Sequence, residues 1–179
     1  MRVPVELSHS ARLRAAAERY GEAEVARRAA ALLLSGDEDA EFFQYLGGRA
    51  VPPDARYWAQ SWGARALEHY WVEGAATAVV VGLSHEHWRV RMVCSRVCAV
   101  RQLGIPERLA ELLHDENWRV RDAAAWALGG VGEFEHSAPL RDLMELDTEP
   151  TVRARAEGAL VAMAERLDRP LDDLLTLND

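Results

Sequence analysis

The chain has 179 residues, 49% of them hydrophobic, and a net charge of −8 from 29 acidic residues against 21 arginines, with no lysine. That composition suffices for one continuous core in a single domain. No apolar run approaches a membrane span, and the amino terminus, Met-Arg-Val-Pro-Val-Glu-Leu, lacks the charged-then-apolar order of a secretion signal, so a soluble, cytoplasmic protein is expected.

Taken in order, Ser8 or Ser10 is placed to cap a helix running to Tyr20. Gly21 separates it from a second helix, Glu22 to Leu34, with Ala23, Ala26, Ala30 and Leu33 on one face and Ser35-Gly36 closing it. Residues 1–36 read as a helical cap for the exposed end of an array, or as a docking hairpin in their own right. Glu38 to Leu46, with Phe42, Phe43, Tyr45 and Leu46, reads as a further helix. Gly47 to Pro53 is the longest irregular stretch and the best candidate for mobility, since its paired prolines forbid helix, and Asp54 restarts the next one.

Beyond that point the sequence repeats. Leu-Ser-His-Glu-His-Trp-Arg-Val-Arg, residues 83–91, returns as Leu-His-Asp-Glu-Asn-Trp-Arg-Val-Arg, residues 113–121. With Val90 and Val120 as anchors, Val152 opens another copy and Ala59 takes the same place in a worn first one, at spacings of 31, 30 and 32. A period in this range marks a repeat array, each unit burying its apolar face against its neighbours. Each anchor opens a helix with a one-sided stripe at helical period: Val120, Ala123, Ala124, Ala127, Leu128 and Val131, or Val90, Val93, Cys94, Val97 and Cys98. Short preceding helices are predicted at Val72 to Leu83, Pro106 to Leu113 and His136 to Leu146, with Pro106 in a first turn. Gly104, the Gly129-Gly130 pair and Gly132 are expected to end helices, and Asn117 or His87 with Asp115 to cap the tight turns. The two cysteines, four apart on one core stripe, suit packing and not a disulfide. The acidic run from Glu133 to Glu149 reads as a solvated face, and Asp168 onward as a short helix with Pro170 in its first turn and leucines closing the stack.

The pattern resembles the HEAT repeats, in particular the short bacterial type that reads Asp-x-x-Trp/x-x-Val-Arg-x-x-Ala-Ala-x-Ala-Leu-Gly. Asp115, Trp118, Val120, Arg121, Ala123, Ala124, Ala127, Leu128 and Gly129 match it residue for residue. The second copy keeps Trp88, Val90 and Arg91, and the fourth Val152, Arg153, Ala156, Ala159 and Leu160, so the resemblance spans roughly residues 54–166. It implies an all-α solenoid, an α-α superhelix of about four helical hairpins near residues 37–70, 72–103, 105–131 and 136–167, with the cap at 1–36 and a capping tail at 168–179. It also implies that the second helices line a concave side, and that the arginine after each valine pairs with a turn aspartate of its own or an adjacent unit. The fold itself names no reaction.

With the stripe turned inward, equivalent outward positions form rows: Gln60, Arg91, Arg121, Arg153; Ser61, Met92, Asp122, Ala154; Ala64, Ser95, Ala125, Glu157; Arg65, Arg96, Trp126, Gly158. Segments 54–70, 88–103, 118–131 and 150–166 hold 11 Arg against 5 acids, while the rest of the chain is strongly acidic. Such segregation steers an anionic partner toward the basic helices, and Arg and Trp are the commonest binding hot spots. The expected function is therefore a non-enzymatic scaffold or adaptor receiving an acidic segment of another protein, with Arg65, Arg91, Arg96 and Arg121 supplying charge, Met92 and Asp122 beside them, and Trp126 as an apolar anchor. Trp88 and Trp118 are expected to pack as wedges across the turns, or to grip a ligand as a pair.

Two alternatives follow from related resemblances. HEAT-like alkylpurine DNA glycosylases use concave tryptophans with a carboxylate, which Trp126 and Asp122 at i and i+4 loosely resemble, although the Trp-Asp-x-x-Asp stretch of that family is missing from Tyr57 to Trp62 and the acidic chain disfavours duplex binding. A metal-dependent enzyme would need His85, His87 and His114, in adjacent turns, as ligands. The His-Glu pair of HEAT-type deoxyhypusine hydroxylases is replaced by Met92-Val93, Asp122-Ala123 and Ala154-Arg155, so that iron site is not matched. Similar repeats occur in phycobilin lyases, but no residue here marks a tetrapyrrole site. No cofactor and no nucleophile–base constellation are implied.

Overall fold

A computed structural model of the chain describes residues 3–36, 39–48 and 55–176, all helical or irregular with no strand among them. The stretch around Gly47 to Pro53 expected to be irregular, and Asp54 as a helix start, lie mostly outside the described residues. The next helix opens at Arg56 with no side-chain cap. No helix is long and apolar enough to cross a membrane. The chain divides into two compact units, residues 1–94 and 95–179, the division falling inside one helix.

The first unit holds α1 (His9–Tyr20), α2 (Glu22–Ser35), α3 (Ala40–Gly47), α4 (Arg56–Leu67), α5 (Ala75–Gly82) and the first half of α6 (Trp88–Arg101). Ser8 caps α1 through the Ala11 N–H. Gly21 at φ 84 and Gly36 at φ 67 supply the left-handed bends that begin and end α2. The buried face of α2 is Val25, Ala26, Ala29, Leu32 and Leu33, rotated from the one predicted. Ala23 is exposed and Ala30 half-buried, because α2 packs against α4 and α5 as well as α1. α2 comes close to α4 at Gly63, where a Cβ would stand 2.7 Å from the Ala29 carbonyl oxygen. The two N-terminal helices pack on the next pair, α1 beside α3 and α2 beside α4. Buried Arg12 and half-buried His9 hold that junction by donating to the Leu46 carbonyl at the end of α3.

The second unit holds the rest of α6, α7 (Pro106–Glu111) with a 3-10 turn at Leu112–His114, α8 (Trp118–Val131), a 3-10 turn at Phe134–His136, α9 (Ser137–Leu146), α10 (Pro150–Leu167) and α11 (Leu171–Leu175). Pro106 opens α7 as expected. Two expected helix ends moved. Gly104 does not cap α6; Gln102, at φ 50, turns the chain there. The Gly129-Gly130 pair lies inside α8, which runs to Val131 and is capped at Gly132. Gly129 serves packing instead: a Cβ on it would lie 2.8 Å from Ala159 Cα and 2.9 Å from the Ala159 carbonyl oxygen, so α8 and α10 touch nearly backbone to backbone. Arg141, buried on α9, donates to the carbonyls of Leu174 (2.7 Å) and Thr176 (3.1 Å) and ties α11 down, burying Leu174 while Leu175 stays exposed.

The inward stripe is as the repeat predicts, with Val90, Cys94, Val97, Cys98, Val120, Ala124, Ala127 and Leu128 wholly buried and only Val131 half-exposed. One supposedly outward row is not outward. Ala64, Ser95 and Ala125 are buried, and only Glu157 of that row faces solvent. The reason is that each second helix buries two adjoining faces, and small side chains on the second one allow a helix to come close.

The glycines inside α8 give a paired test. Gly129→Ala should lower stability by about 2 kcal/mol through overpacking, whereas Gly130→Ala, which meets nothing within 4 Å, should raise it by roughly 0.5–1 kcal/mol by restricting the unfolded chain. Urea midpoints of the two variants check both signs.

Candidate functional site

Each repeat turn is closed by the same set of bonds. His85 Nδ1, Asp115 Oδ1 and Asp147 Oδ1 accept from the backbone N–H two residues on, at 2.9, 2.9 and 2.8 Å. His87 and Asn117 repeat the device one step later, accepting from Arg89 and Arg119. The arginine after each anchor valine then reaches back six residues. Arg91 donates to the carbonyls of His85 and Glu86, Arg121 to those of Asp115 and Glu116, and Arg153 to that of Asp147. Arg121 also forms a two-pronged ion pair with Asp147, at 2.6 and 2.9 Å, with Asp147's side chain only 3% exposed. Asp147 therefore belongs to this junction and not to a solvated acidic face. The geometry places Arg91 and Arg121 in the turns of the stack, half-buried.

The two turn imidazoles are held in one tautomer. Because each Nδ1 accepts an N–H, the proton sits on Nε2, and His85 Nε2 donates to Gln60 Oε1 at 2.9 Å. Gln60 in turn donates to the Leu33 carbonyl. Burial lowers the pKa of both His85 and His87, and His87 also lies flat on Tyr57, ring centroids 3.6 Å apart. They act as caps, while His114 is exposed at the end of its 3-10 turn. The described residues contain no group of three or more His, Cys, Asp or Glu placed to hold a metal. Burial pushes the Cys98 thiol up to about 12, which keeps it protonated and unreactive as a nucleophile.

In the second unit, Arg96 lies over the exposed ring of Trp126 at 5.9 Å. Asp122, one turn before Trp126, is bonded to Arg155 at 3.1 Å, so its carboxylate is committed and does not stand open beside the indole.

The first unit carries a cluster that the repeat alignment did not single out. Arg89 is inserted between two indoles, 4.6 Å from the Trp58 ring and 4.5 Å from that of Trp88. Exposed Arg65 lies over Trp62 at 5.2 Å. Between α4 and α6 they frame a slot of about 80 Å³, with Met92 and Val93 on its α6 side. Among the described residues neither Arg65 nor Arg89 is paired with a carboxylate. Arg65 and Met92 were legible as outward positions. Trp58, Trp62 and Arg89 were missed because they belong to the worn first copy or precede the anchor valine, although three tryptophans and six arginines within α4 and α6 is itself a compositional signal.

Residues 76–161 match the family model for HEAT repeats. No curated protein matches the chain.

The two classes of arginine should separate on mutation. Arg121→Ala strands a buried carboxylate and should cost about 3 kcal/mol, while Arg65→Ala should cost no more than about 1 kcal/mol. The Arg121 hydrogen bond holds Asp147 below its ordinary value of 3.8. A depressed folded-state pKa means that this stabilisation is complete above that value and is lost as pH falls through the lower one. Urea midpoints measured from pH 7 down to 3 should show an acid limb for the native chain that is much flatter in Arg121→Ala.

Proposed function

We propose that this chain, a HEAT-repeat protein across residues 76–161, is a protein-binding scaffold whose exposed arginine–tryptophan surfaces receive an acidic segment of another protein. HEAT repeats generally mediate protein–protein interaction, and the finer reading rests on one observation: guanidinium groups placed over indoles at Arg65–Trp62 and Arg89–Trp58. A cation over an aromatic face is held in place at about 0.5–1 kcal/mol, yet its N–H edges still point away from the ring. Such a group is preorganised for a carboxylate and loses little side-chain freedom on binding. Charge supports the same partner, because the second helices are arginine-rich on a chain of net charge −8. An acidic segment is drawn to those helices and repelled elsewhere, which favours speed and selectivity of encounter. A nucleic acid would need many phosphate contacts and would meet the acidic remainder of the chain.

Panning a random-peptide library on the full chain tests this. The recovered peptides should be rich in Asp and Glu, and their binding should weaken about tenfold in Trp126→Ala or in Arg89→Ala. Recovery of neutral or basic peptides would overturn the reading. Salt-sensitive retention of duplex or single-stranded DNA, lost in the same variants, would transfer the surface to nucleic-acid binding.

A further inference from the structure

We infer that the slot between α4 and α6 reads the acidic segment through a single inserted apolar side chain, a leucine, methionine or aromatic residue, with carboxylates two residues away on either side. The inference rests on the acidic-segment reading and adds to it a rule for which acidic segments bind. Volume comes first: about 80 Å³ is room for one side chain and not for a helix. The slot is also dry in character. Val93 is buried, and the one hydroxyl on the wall, Ser61, turns away to donate to the Tyr57 carbonyl at 2.6 Å. An apolar group entering there strands no polar atom.

The spacing of the charges follows from helix geometry. Trp58, Trp62 and Arg65 lie on successive turns of α4, and Arg89 covers Trp58 while Arg65 covers Trp62. The two cations therefore stand over rings about 6 Å apart, four residues at 1.5 Å each along α4, and flank the slot. Carboxylates on the outer edges of the two guanidiniums stand farther apart than the rings, and in an extended peptide at about 3.3 Å per residue only alternate side chains share a face, so acidic residues two before and two after the apolar one present all three groups to the slot. The stacking already present argues for a peptide over single-stranded nucleic acid. Trp58 is covered by Arg89, and Trp62 carries Arg65 and also packs against His9, ring centroids 4.8 Å apart. Bases need open aromatic faces to stack on, whereas carboxylates need the guanidinium edges that this arrangement presents.

The test uses the full chain and fluorescein-labelled peptides with a Glu-Ala-Leu-Ala-Glu core in neutral flanks, compared with Glu-Ala-Ala-Ala-Glu and Gln-Ala-Leu-Ala-Gln cores, by fluorescence anisotropy. The leucine-bearing acidic core is expected to bind at least about tenfold tighter than either comparison peptide. Arg65→Gln and Arg89→Gln should each weaken it by about tenfold, with Arg27→Gln on α2 as the unaffected control. Equal affinity for the leucine and alanine cores overturns the slot while the acidic-segment reading stands. Binding of neither acidic peptide by native protein overturns both. Tighter binding of an oligothymidylate, lost in Arg89→Gln, overturns the peptide assignment. The peptide comparison needs no protein variant, so a folding defect in Arg65→Gln or Arg89→Gln leaves the inference open to refutation.

Discussion

The structure depends on how its turns are closed. A tight bend between two helices leaves carbonyls at the end of one and N–H groups at the start of the next without helical partners. Here the N–H side is met by His85, His87, Asp115, Asn117 and Asp147, each within two residues of the group it caps. The carbonyl side is met by an arginine that has already entered the second helix and folds back over the turn. One guanidinium thus fixes the angle between the helices of a hairpin. In Arg121 the same group also bonds Asp147, so closing one turn positions the next.

Fixing the turns fixes the phase of every second helix, and phase decides what is exposed. The valine and alanine stripe goes inward, and an adjoining face of small residues goes against a neighbouring helix, as at Gly129 on Ala159 and Gly63 on Ala29. What is left exposed is, in the first unit, Arg65 with the half-buried Trp58, Trp62 and Arg89 beside it, and in the second unit Arg96 and Trp126. The small side chains that let helices approach also bring large ones on neighbouring helices into contact at their edges. The arginine–tryptophan pairs stand at those edges.

The hairpin repeat, its period and the buried stripe were legible because they are carried by residue type at fixed spacing. Val120, Ala124 and Leu128 could not face water without exposing a whole helix face. The second buried face was not legible, since Ala64, Ser95 and Ala125 are compatible with either environment, and their burial is decided by a neighbour some 30 positions away in sequence. Gly129 misled for a related reason. Glycine marks both helix ends and close helix contacts, and only the position of Ala159 distinguishes the two. Arg12 and Arg141, which hold chain carbonyls at the two ends, carried no sequence signal at all. The indole cluster around Arg89 had a signal in composition, but the repeat register drew attention to the wrong column.

Arginine as the sole basic residue acquires a physical sense from these roles. In the turns, one planar group must reach two carbonyls and, at Arg121, both oxygens of a carboxylate; an ammonium has neither the fork nor the span. In the first unit, the Arg89 cation must sit close to both Trp58 and Trp88, which a strongly hydrated point charge does poorly. The two uses impose opposite demands on the surroundings. A turn arginine stabilises the fold because its donors are spent on the chain's own carbonyls and, at Arg121, on Asp147, whereas an exposed arginine can serve a partner only where its edges are left over after stacking. Sorting the arginines by that criterion, and not by their place in the repeat, moves Arg121 into the framework and brings Arg89 and Arg65 to the front of the surface a partner would meet.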